Sequence, residues 1–261
     1  MTLPPNPLET VRWEHHEAAV YHGLYLPTFA TFQREVVFAA VDALDGKIEA
    51  LENSDEEVER VFAAQHYSEL RQSTIEAFLL ATQSMHERAL RDLMTGMAGR
   101  MAWSKSKLEQ IQRCSLGGKG PNLQSFFSDI FDAPMEWFGI HEDLMFLHLL
   151  GNALRHGDGD AAIKIHQRAP SLWITWLPPG STIGGLYTVR PDAPRHPAFD
   201  AITLPRVVLE QMMMAVTAFW EDIEFVRCNS FSRKSEGVVK LMDELRSKRD
   251  LRSKERVWTP R

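Results

Sequence analysis

The sequence predicts one mainly α-helical domain that carries a small β-hairpin. Hydrophobic residues recur in steps of three and four over several long segments, which is the spacing of an amphipathic helix. Strand-like composition, rich in β-branched and aromatic residues, is confined to one short region. A chain of 261 residues with 44% hydrophobic content is large enough to bury a sizeable core. Together these observations favour a helical bundle.

The first half of the chain, residues 1–115, predicts two long antiparallel helices that belong to this bundle. The segment TFATFQREVVFAAVDALDGKIEALE places its apolar residues on one stripe of a helix. The sequence ENSD then forms a polar connection, and a second helical pattern runs to Gly96 and Gly99. Helices joined by so short a connection pack side by side in opposite directions.

Residues 115–122, SLGGKGPN, predict a loop or hinge. Three glycines and a proline within eight residues are incompatible with a stable helix. The GGKG sequence suggests a phosphate-binding loop at first sight. However, the spacing GxxxxGK[ST] is absent and no apolar strand precedes the loop, so we reject that interpretation.

Residues 116–230 predict the remaining core elements. A short helix, LQSFFSDIF, is followed by a long one from Pro134, PMEWFGIHEDLMFLHLLGNALRH, which is apolar on nearly every side and therefore central. The segments SLWITWL and GGLYTVR, on either side of PPGSTI, predict the hairpin. A final core helix, LPRVVLEQMMMAVTAFWEDIEFV, presents one apolar face, formed by Val208, Met212, Val216, Phe219 and Ile223.

Residues 231–261 predict a basic C-terminal helix or tail. From residue 233 onward, ten Lys and Arg stand against five Asp and Glu, a local charge of +5, while the net charge of the chain is −6. A basic tail on an acidic body is one way to contact nucleic acid. The interpretation that we favour is a helix with a solvated basic face that frays at its end.

Two functional classes are not expected. The sequence shows neither the pattern of a secretion signal nor an unbroken apolar run long enough to cross a membrane, so we expect a cytoplasmic protein without a membrane partner. The two cysteines, Cys114 and Cys228, match no disulfide framework or zinc spacing and are expected to be free thiols.

The most informative stretch is HLLGNALRHGDGD, residues 148–160. His148, Asn152 and His156 follow each other at four-residue intervals and form one polar ridge on an apolar helix. Gly157 and Gly159 end that helix, so His156 lies in its last turn, where the helix dipole favours a protonated imidazole. The alternative is purely structural: Asn152 bonds neighbouring backbone, and His156 caps the last carbonyl groups.

The order of elements over residues 60–230, together with Asn152 and His156 within GNALRHG, resembles the HEPN superfamily, whose hallmark is an Arg-Asn-x-x-x-His motif at a helix end. This resemblance implies a HEPN-like helical bundle that dimerises. Many members of that superfamily cleave RNA without a metal ion or other cofactor, in antiviral defence or toxin–antitoxin systems, so the resemblance also implies this activity. It implies RNA as ligand, a homodimer, and an antitoxin or nucleotidyltransferase-like protein as a further partner.

The resemblance also implies roles for individual residues. RNA supplies its own nucleophile, the 2′-hydroxyl, so His156 would transfer the proton and Asn152 would position the phosphate or ribose. Gly151 stands where the motif has arginine, and Arg155 is the candidate to supply the missing charge. We expect His148 and Asp158 to contribute to binding.

Two alternatives to an enzyme stay open at this point. The first is a non-catalytic helical module that dimerises or binds a partner through the same groove; the small Gly151 would let another helix approach closely. The second is a metal site formed by His15, His16 and His22 within EHHEAAVYH. No acidic ligand is placed by that spacing, so we expect surface histidines and no metal.

Overall fold

The computed structural model describes residues 6–53, 57–118 and 120–261, with the backbone alone described for residues 20–22 and 57–61. Helical elements dominate it. In chain order the α-helices are α1 Tyr25–Thr31, α2 Ala39–Glu52, α3 Glu57–Arg100, α4 Lys105–Arg113, α5 Leu123–Phe131, α6 His141–His156, α7 Asp160–Arg168, α8 Arg206–Asn229 and α9 Glu236–Leu251. A π-helical segment, Phe32–Phe38, joins α1 to α2, and two-residue strands β1 Thr182–Ile183 and β2 Tyr187–Thr188 form an antiparallel hairpin.

The predicted pair of long antiparallel helices is confirmed. The segment from α1 to α2 runs back along α3, which contains 44 residues and is therefore roughly 65 Å long. Arg71 donates to Asp45 across the pair, and the rings of Phe32 and Phe78 meet edge to face, 6.2 Å between centroids. Residues 54–56 of the predicted connection lie outside the described part of the chain.

Helices α3, α5, α6 and α8 surround the main hydrophobic core. The predicted apolar face of α8 is confirmed, because Val208, Met212, Val216, Phe219 and Ile223 are all buried. Aromatic rings continue this core into α5, where Phe127 lies 6.0 Å from Phe219, centroid to centroid. Helix α6, which carries Asn152 and His156, packs against both α3 and α8.

The long helix predicted from Pro134 begins later than expected. Residues Met135–Trp137 form a 3₁₀ turn, and α6 begins at His141. Gly139 lies between them with φ +64°, and a Cβ there would stand 2.8 Å from the backbone nitrogen of Phe219. Its N–H donates to Asp222 Oδ2 at 2.6 Å. Close packing on α8 therefore breaks the helix at Gly139, which apolar periodicity alone does not reveal.

The hairpin is shorter than predicted and lies further along the chain. Its first strand is Thr182–Ile183, inside the sequence PPGSTI that we expected to form the turn. The segment SLWITWL forms a 3₁₀ turn at Pro170–Leu172 instead of a strand. Its composition predicted a strand, but Leu172 and Trp173 are buried in the core, and burial of this kind overrides local strand propensity.

Helix α7 was not predicted. Helix α6 ends before Gly157 and α7 begins at Asp160, so the Gly-Asp-Gly sequence forms a corner between two helices. Ala162 and Ile165 are the buried residues of α7. The nine-residue length of this helix gives too little periodicity for recognition from sequence.

The predicted C-terminal basic helix is present as α9, with Lys240 and Lys248 exposed, but its end is docked on the body and not frayed as we predicted. Arg246 bonds Glu9, Arg252 bonds the buried Asp222, and Arg256 bonds the buried Asp143. The residues after α9 continue as an irregular strap, in which Gln211 Oε1 accepts from the Val257 N–H at 3.0 Å. Opposite charges on tail and body explain this docking, because they compensate one another where water is excluded.

Within the described residues, no helix combines the length and apolarity needed to cross a lipid bilayer.

Candidate functional site at the end of helix α6

The end of α6 is defined by Gly157. This residue has φ +70°, and its N–H donates to the carbonyl of Ala153 at 2.7 Å. A left-handed conformation of this kind favours glycine and stops the helix. The last turn of α6 therefore presents Arg155 and His156 at the surface, where the sequence predicted them.

The predicted polar ridge runs from the interior to solvent. His148 is buried, Asn152 is half-buried and His156 is exposed. Asn152 Nδ2 lies 3.1 Å from His148 Nε2, and His148 Nδ1 lies 3.1 Å from Glu87 Oε1. Because a carboxylate only accepts, Nδ1 of a neutral His148 carries the hydrogen and Nε2 accepts from the Asn152 amide. This arrangement directs the Asn152 side chain and leaves its Oδ1 without a hydrogen bond among the described residues.

Glu87 of α3 is the centre of this network. It accepts from Gln83 Nε2 at 2.8 Å and from Arg91 Nη2 at 2.8 Å, in addition to His148. Burial raises the pKa of Glu87, but the hydrogen bonds from His148, Arg91 and Gln83 outweigh burial and lower the pKa to about 2. Glu87 is therefore a carboxylate at neutral pH, and it holds His148 in one orientation.

The contribution of α3 was not predicted. Gln83, Glu87 and Arg91 are spaced four residues apart, so they form a second polar ridge, which faces the one on α6. That four-residue spacing was an available signal, but Ser84, His86, Arg88 and Asp92 in the same stretch are also polar and obscure it. What the sequence did not show is that the two ridges face each other.

The side chain of Gln83 fills the space beside Gly151 where a larger residue would place its own side chain. A Cβ built on Gly151 would stand 1.6 Å from Gln83 Oε1, so no larger residue fits without moving that side chain. Gln83 Oε1 in turn accepts from Arg155 Nη2. Arg155 is one turn after Gly151 and extends back along α6 toward α3. The close approach that we predicted for a helix of another molecule is made here by α3 of the same chain.

His156 and Asp158 have different surroundings. His156 makes no hydrogen bond or ion pair with the described residues, so the predicted capping of the last carbonyls does not occur. Asn152 likewise bonds His148 and not backbone. Asp158 is exposed, and its Oδ1 accepts from the Phe199 N–H at 2.6 Å, which ties the corner after α6 to the segment before α8.

The glycine-rich loop covers the inner part of the network. A Cβ on Gly117 would stand 3.1 Å from Met145 Cε and 3.8 Å from His148 Cδ2. Arg91 holds the start of this loop through the carbonyl of Cys114, at 2.9 Å. The loop therefore contributes to the burial of His148, while Asn152 and His156 stay accessible. Lys119 lies outside the described residues.

The weaker metal-site hypothesis gains no geometric support. His15 Nδ1 lies 3.7 Å from Glu17, His16 packs edge-on against Phe231, and the side chain of His22 lies outside the described residues. Across the side chains that are described, no three His, Cys, Asp or Glu residues are grouped as metal ligands. Both cysteines are free thiols, and burial raises the pKa of each.

The geometry at the end of α6 thus consists of an exposed histidine, an oriented asparagine and an arginine held over a glycine. Comparison of the chain with models of protein families, with curated proteins and with solved structures finds no match.

Proposed function

We propose that this chain binds RNA at the end of α6 and cleaves it without a metal ion, in the manner implied by its resemblance to the HEPN superfamily. One observation carries the proposal: His156 is exposed and uncommitted one turn from Asn152, whose side chain is directed by the buried His148–Glu87 pair. A general acid or base must reach its substrate, and histidine is the side chain whose unperturbed pKa is closest to neutrality. The exposed His156 satisfies the requirement of access.

The chemistry divides among three residues of this end of the helix. His156 takes the proton from the ribose 2′-hydroxyl while the 2′-oxygen attacks phosphorus. The bond to the 5′-oxygen breaks, and a second proton donor protonates that leaving group, which yields a cyclic 2′,3′-phosphate and a 5′-hydroxyl end. Asn152 Oδ1 accepts from a ribose hydroxyl, and Arg155 places positive charge beside the phosphate.

A second copy of the chain is the proposed source of the second proton donor. His156 has no partner of its own among the described residues, and the resemblance implies a homodimer that joins two such helix ends. Defence or toxin–antitoxin function, with an antitoxin or nucleotidyltransferase-like protein as partner, belongs to the same proposal.

The test is incubation of the purified protein with end-labelled RNA in EDTA, next to His156→Ala and His66→Ala variants. His66 is the control because it is also an exposed histidine, but it lies on α3 about 30 Å along that helix from Glu87. We expect cleavage by the parent and by His66→Ala, and loss of at least about 100-fold in rate for His156→Ala. Cleavage that persists in His156→Ala, or a parent that leaves RNA intact, contradicts the proposal.

A second candidate function is protein association without catalysis. The segment around the hairpin exposes several large apolar side chains, with Leu186 97% and Ile174 75% exposed. Contiguous exposed apolar surface marks interaction sites, and the exposed side chains of this segment are the candidates to form one. We expect Leu186→Asp to shift the oligomeric state measured by sedimentation, whereas Leu24→Asp, at an exposed leucine far from this segment in the sequence, does not. Identical sedimentation of both variants and the parent would remove this candidate.

A further inference from the structure

A cleft of about 510 Å³ opens beside the end of α6. It lies between α7 and residues 176–198, and its rim begins at Asp158 and Gly159. Asp158 is two residues after His156, a separation of at most about 7 Å along the chain. The cleft is therefore next to the proposed cleavage site.

The walls of the cleft are mainly apolar, and none of its lining residues is Lys or Arg. Ile163, Leu177, Val189 and Pro194 contribute aliphatic surface, and Trp176 contributes an aromatic ring. Small-molecule sites typically combine such walls with a few polar groups. With Asp158 in the lining and no Lys or Arg to bind a phosphate, this cleft favours an uncharged ring over a phosphate.

Trp176 is held in place by its neighbours. The ring of His166 meets it edge to face, 4.8 Å between centroids with an interplanar angle of 82°, and His166 in turn contacts the His196 ring. The indole is half-buried and lines the cleft. An immobilised aromatic surface at the side of a cleft is suited to stacking with a planar ligand.

Two polar atoms are available at this cleft. The Phe199 N–H holds Asp158 through Oδ1, and Asp158 Oδ2 has no hydrogen bond among the described residues. His196 Nδ1 lies 3.5 Å from His166 Nδ1, which leaves Nε2 of His196 without a described partner. A carboxylate oxygen only accepts hydrogen bonds, so it favours a ligand that carries an amino group.

We propose that this cleft binds one nucleobase of the RNA strand, stacked on Trp176, and that Asp158 Oδ2 accepts from the base's exocyclic amino group. This inference rests on the proposed function, because it assigns the cleft to the nucleotide next to the phosphate at His156. Base stacking on aromatic side chains and hydrogen bonding to base edges are how proteins read single-stranded RNA. Cytosine, adenine and guanine carry the required amino group, and uracil does not.

The experiment is titration of the full chain with cytidine and uridine, followed by ligand-detected NMR. These nucleosides lack phosphate, so they isolate the cleft from phosphate binding. Cytidine has a 4-amino group and an N3 acceptor where uridine has a 4-carbonyl group and an N3–H, so the comparison tests which base edge Asp158 accepts from. We expect cytidine to bind more tightly than uridine by about fivefold or more. Trp176→Ala should weaken cytidine binding about tenfold, while Trp176→Phe retains most of it. Trp137→Ala, at an exposed tryptophan of the turn before α6, is the matched control and should bind as the parent does.

Asp158→Asn tests the hydrogen bond separately. The amide retains an oxygen for the Phe199 N–H, so the corner should stay folded, which circular dichroism checks. We expect this variant to lose the preference for cytidine over uridine. Equal binding of both nucleosides by the parent, or cytidine binding that is unchanged in Trp176→Ala, overturns the inference.

Failure of the inference and failure of the proposed function give different results. If RNA is cleaved in a His156-dependent way but nucleosides do not bind, the cleft assignment is wrong and the ribonuclease proposal stands. If nucleosides bind through Trp176 and no RNA is cleaved, the cleft assignment stands and the catalytic proposal fails.

Discussion

Among individual residues, Gly151 has the most specific structural role. Its missing side chain is the reason that Gln83 Oε1 can reach α6 and accept from Arg155. In the resemblance that underlies the proposed function, Gly151 stands at the position of the motif arginine. Arg155, one turn further along, places a guanidinium beside Gly151 through its bond to Gln83.

We expect Gly151→Ala to destabilise the fold by about 1–3 kcal/mol, because the new methyl group overlaps Gln83 Oε1 and forces that side chain to move. Gly96→Ala is the matched control: Gly96 is also helical, but nothing lies within 4 Å of its Cβ position. There the better helix propensity of alanine should stabilise the protein by up to about 1 kcal/mol. Urea unfolding of the two variants measures both effects.

A double variant checks the stated cause. When Gln83→Ala has already removed the overlapping side chain, adding Gly151→Ala should cost nothing further. If the penalty of Gly151→Ala persists in that background, the contact with Gln83 is not its source.

Among the secondary-structure elements, α6 is anchored at its first turn to α8 and to the C-terminal strap. Its first turn contains Asp143, which is fully buried and bonds Gln211 of α8 and Arg256 of the C-terminal strap. Burial raises the pKa of Asp143, and its bonds to Gln211 and Arg256 oppose that increase. The strap therefore compensates a buried charge in the first turn of the helix that carries Asn152 and His156.

We expect Arg256→Ala to destabilise the protein by about 3 kcal/mol, because Asp143 would be left as a buried charge without its cation. Arg190→Ala serves as the control, since the Arg190–Asp192 pair is exposed and should contribute no more than about 0.5 kcal/mol. Urea denaturation at pH 7 measures the change in the free energy of unfolding for both variants.

Adding Asp143→Asn to Arg256→Ala should recover part of the loss, because the buried charge is then removed. A double variant as unstable as Arg256→Ala alone would show that the strap stabilises α6 by contacts other than this pair.

At the scale of the whole molecule, the buried polar groups of α3 make stability depend on pH. His86 is fully buried, and burial lowers its pKa to about 4; the charge of Glu87 partly opposes this shift and that of Arg91 adds to it. The unfolded chain binds this proton near pH 6.5 and the folded chain only near pH 4. The free energy of unfolding therefore falls as the pH is lowered from about 6.5 to about 4.

Glu87 extends that loss to lower pH. Its pKa is about 2 in the folded protein and 4.5 in a model peptide, so its stabilising contribution is complete above pH 4.5 and disappears as the pH falls toward 2. The two groups thus act in successive pH windows.

We expect the free energy of unfolding to be lower at pH 5 than at pH 7, by about 2 kcal/mol through His86. His86→Gln removes the titrating ring and retains an acceptor for the Trp220 indole, so this variant should lose that part of the difference. His66→Gln, at an exposed site, should keep it. Urea unfolding at the two pH values decides the matter, and an unchanged difference in His86→Gln would contradict the assignment to His86.

The sequence by itself determined the helical class, the long helix pair, the apolar face of α8 and the end of α6 at Gly157. Each of these follows from local information: hydrophobic periodicity along one helix, or a glycine that adopts a conformation unfavourable for other residues. The polar ridge of His148, Asn152 and His156 was readable for the same reason.

Only the tertiary structure decided the partners of that ridge. Glu87 and Gln83 are more than 60 residues from His148 and Arg155, respectively, and no spacing within one helix reveals which residues of another helix face it. The same limitation explains the helix break at Gly139, which depends on the approach of α8, and the docking of the basic tail onto Asp143 and Asp222. Local periodicity specifies which face of an element is buried, whereas the complementary shape and charge of distant segments specify what buries it.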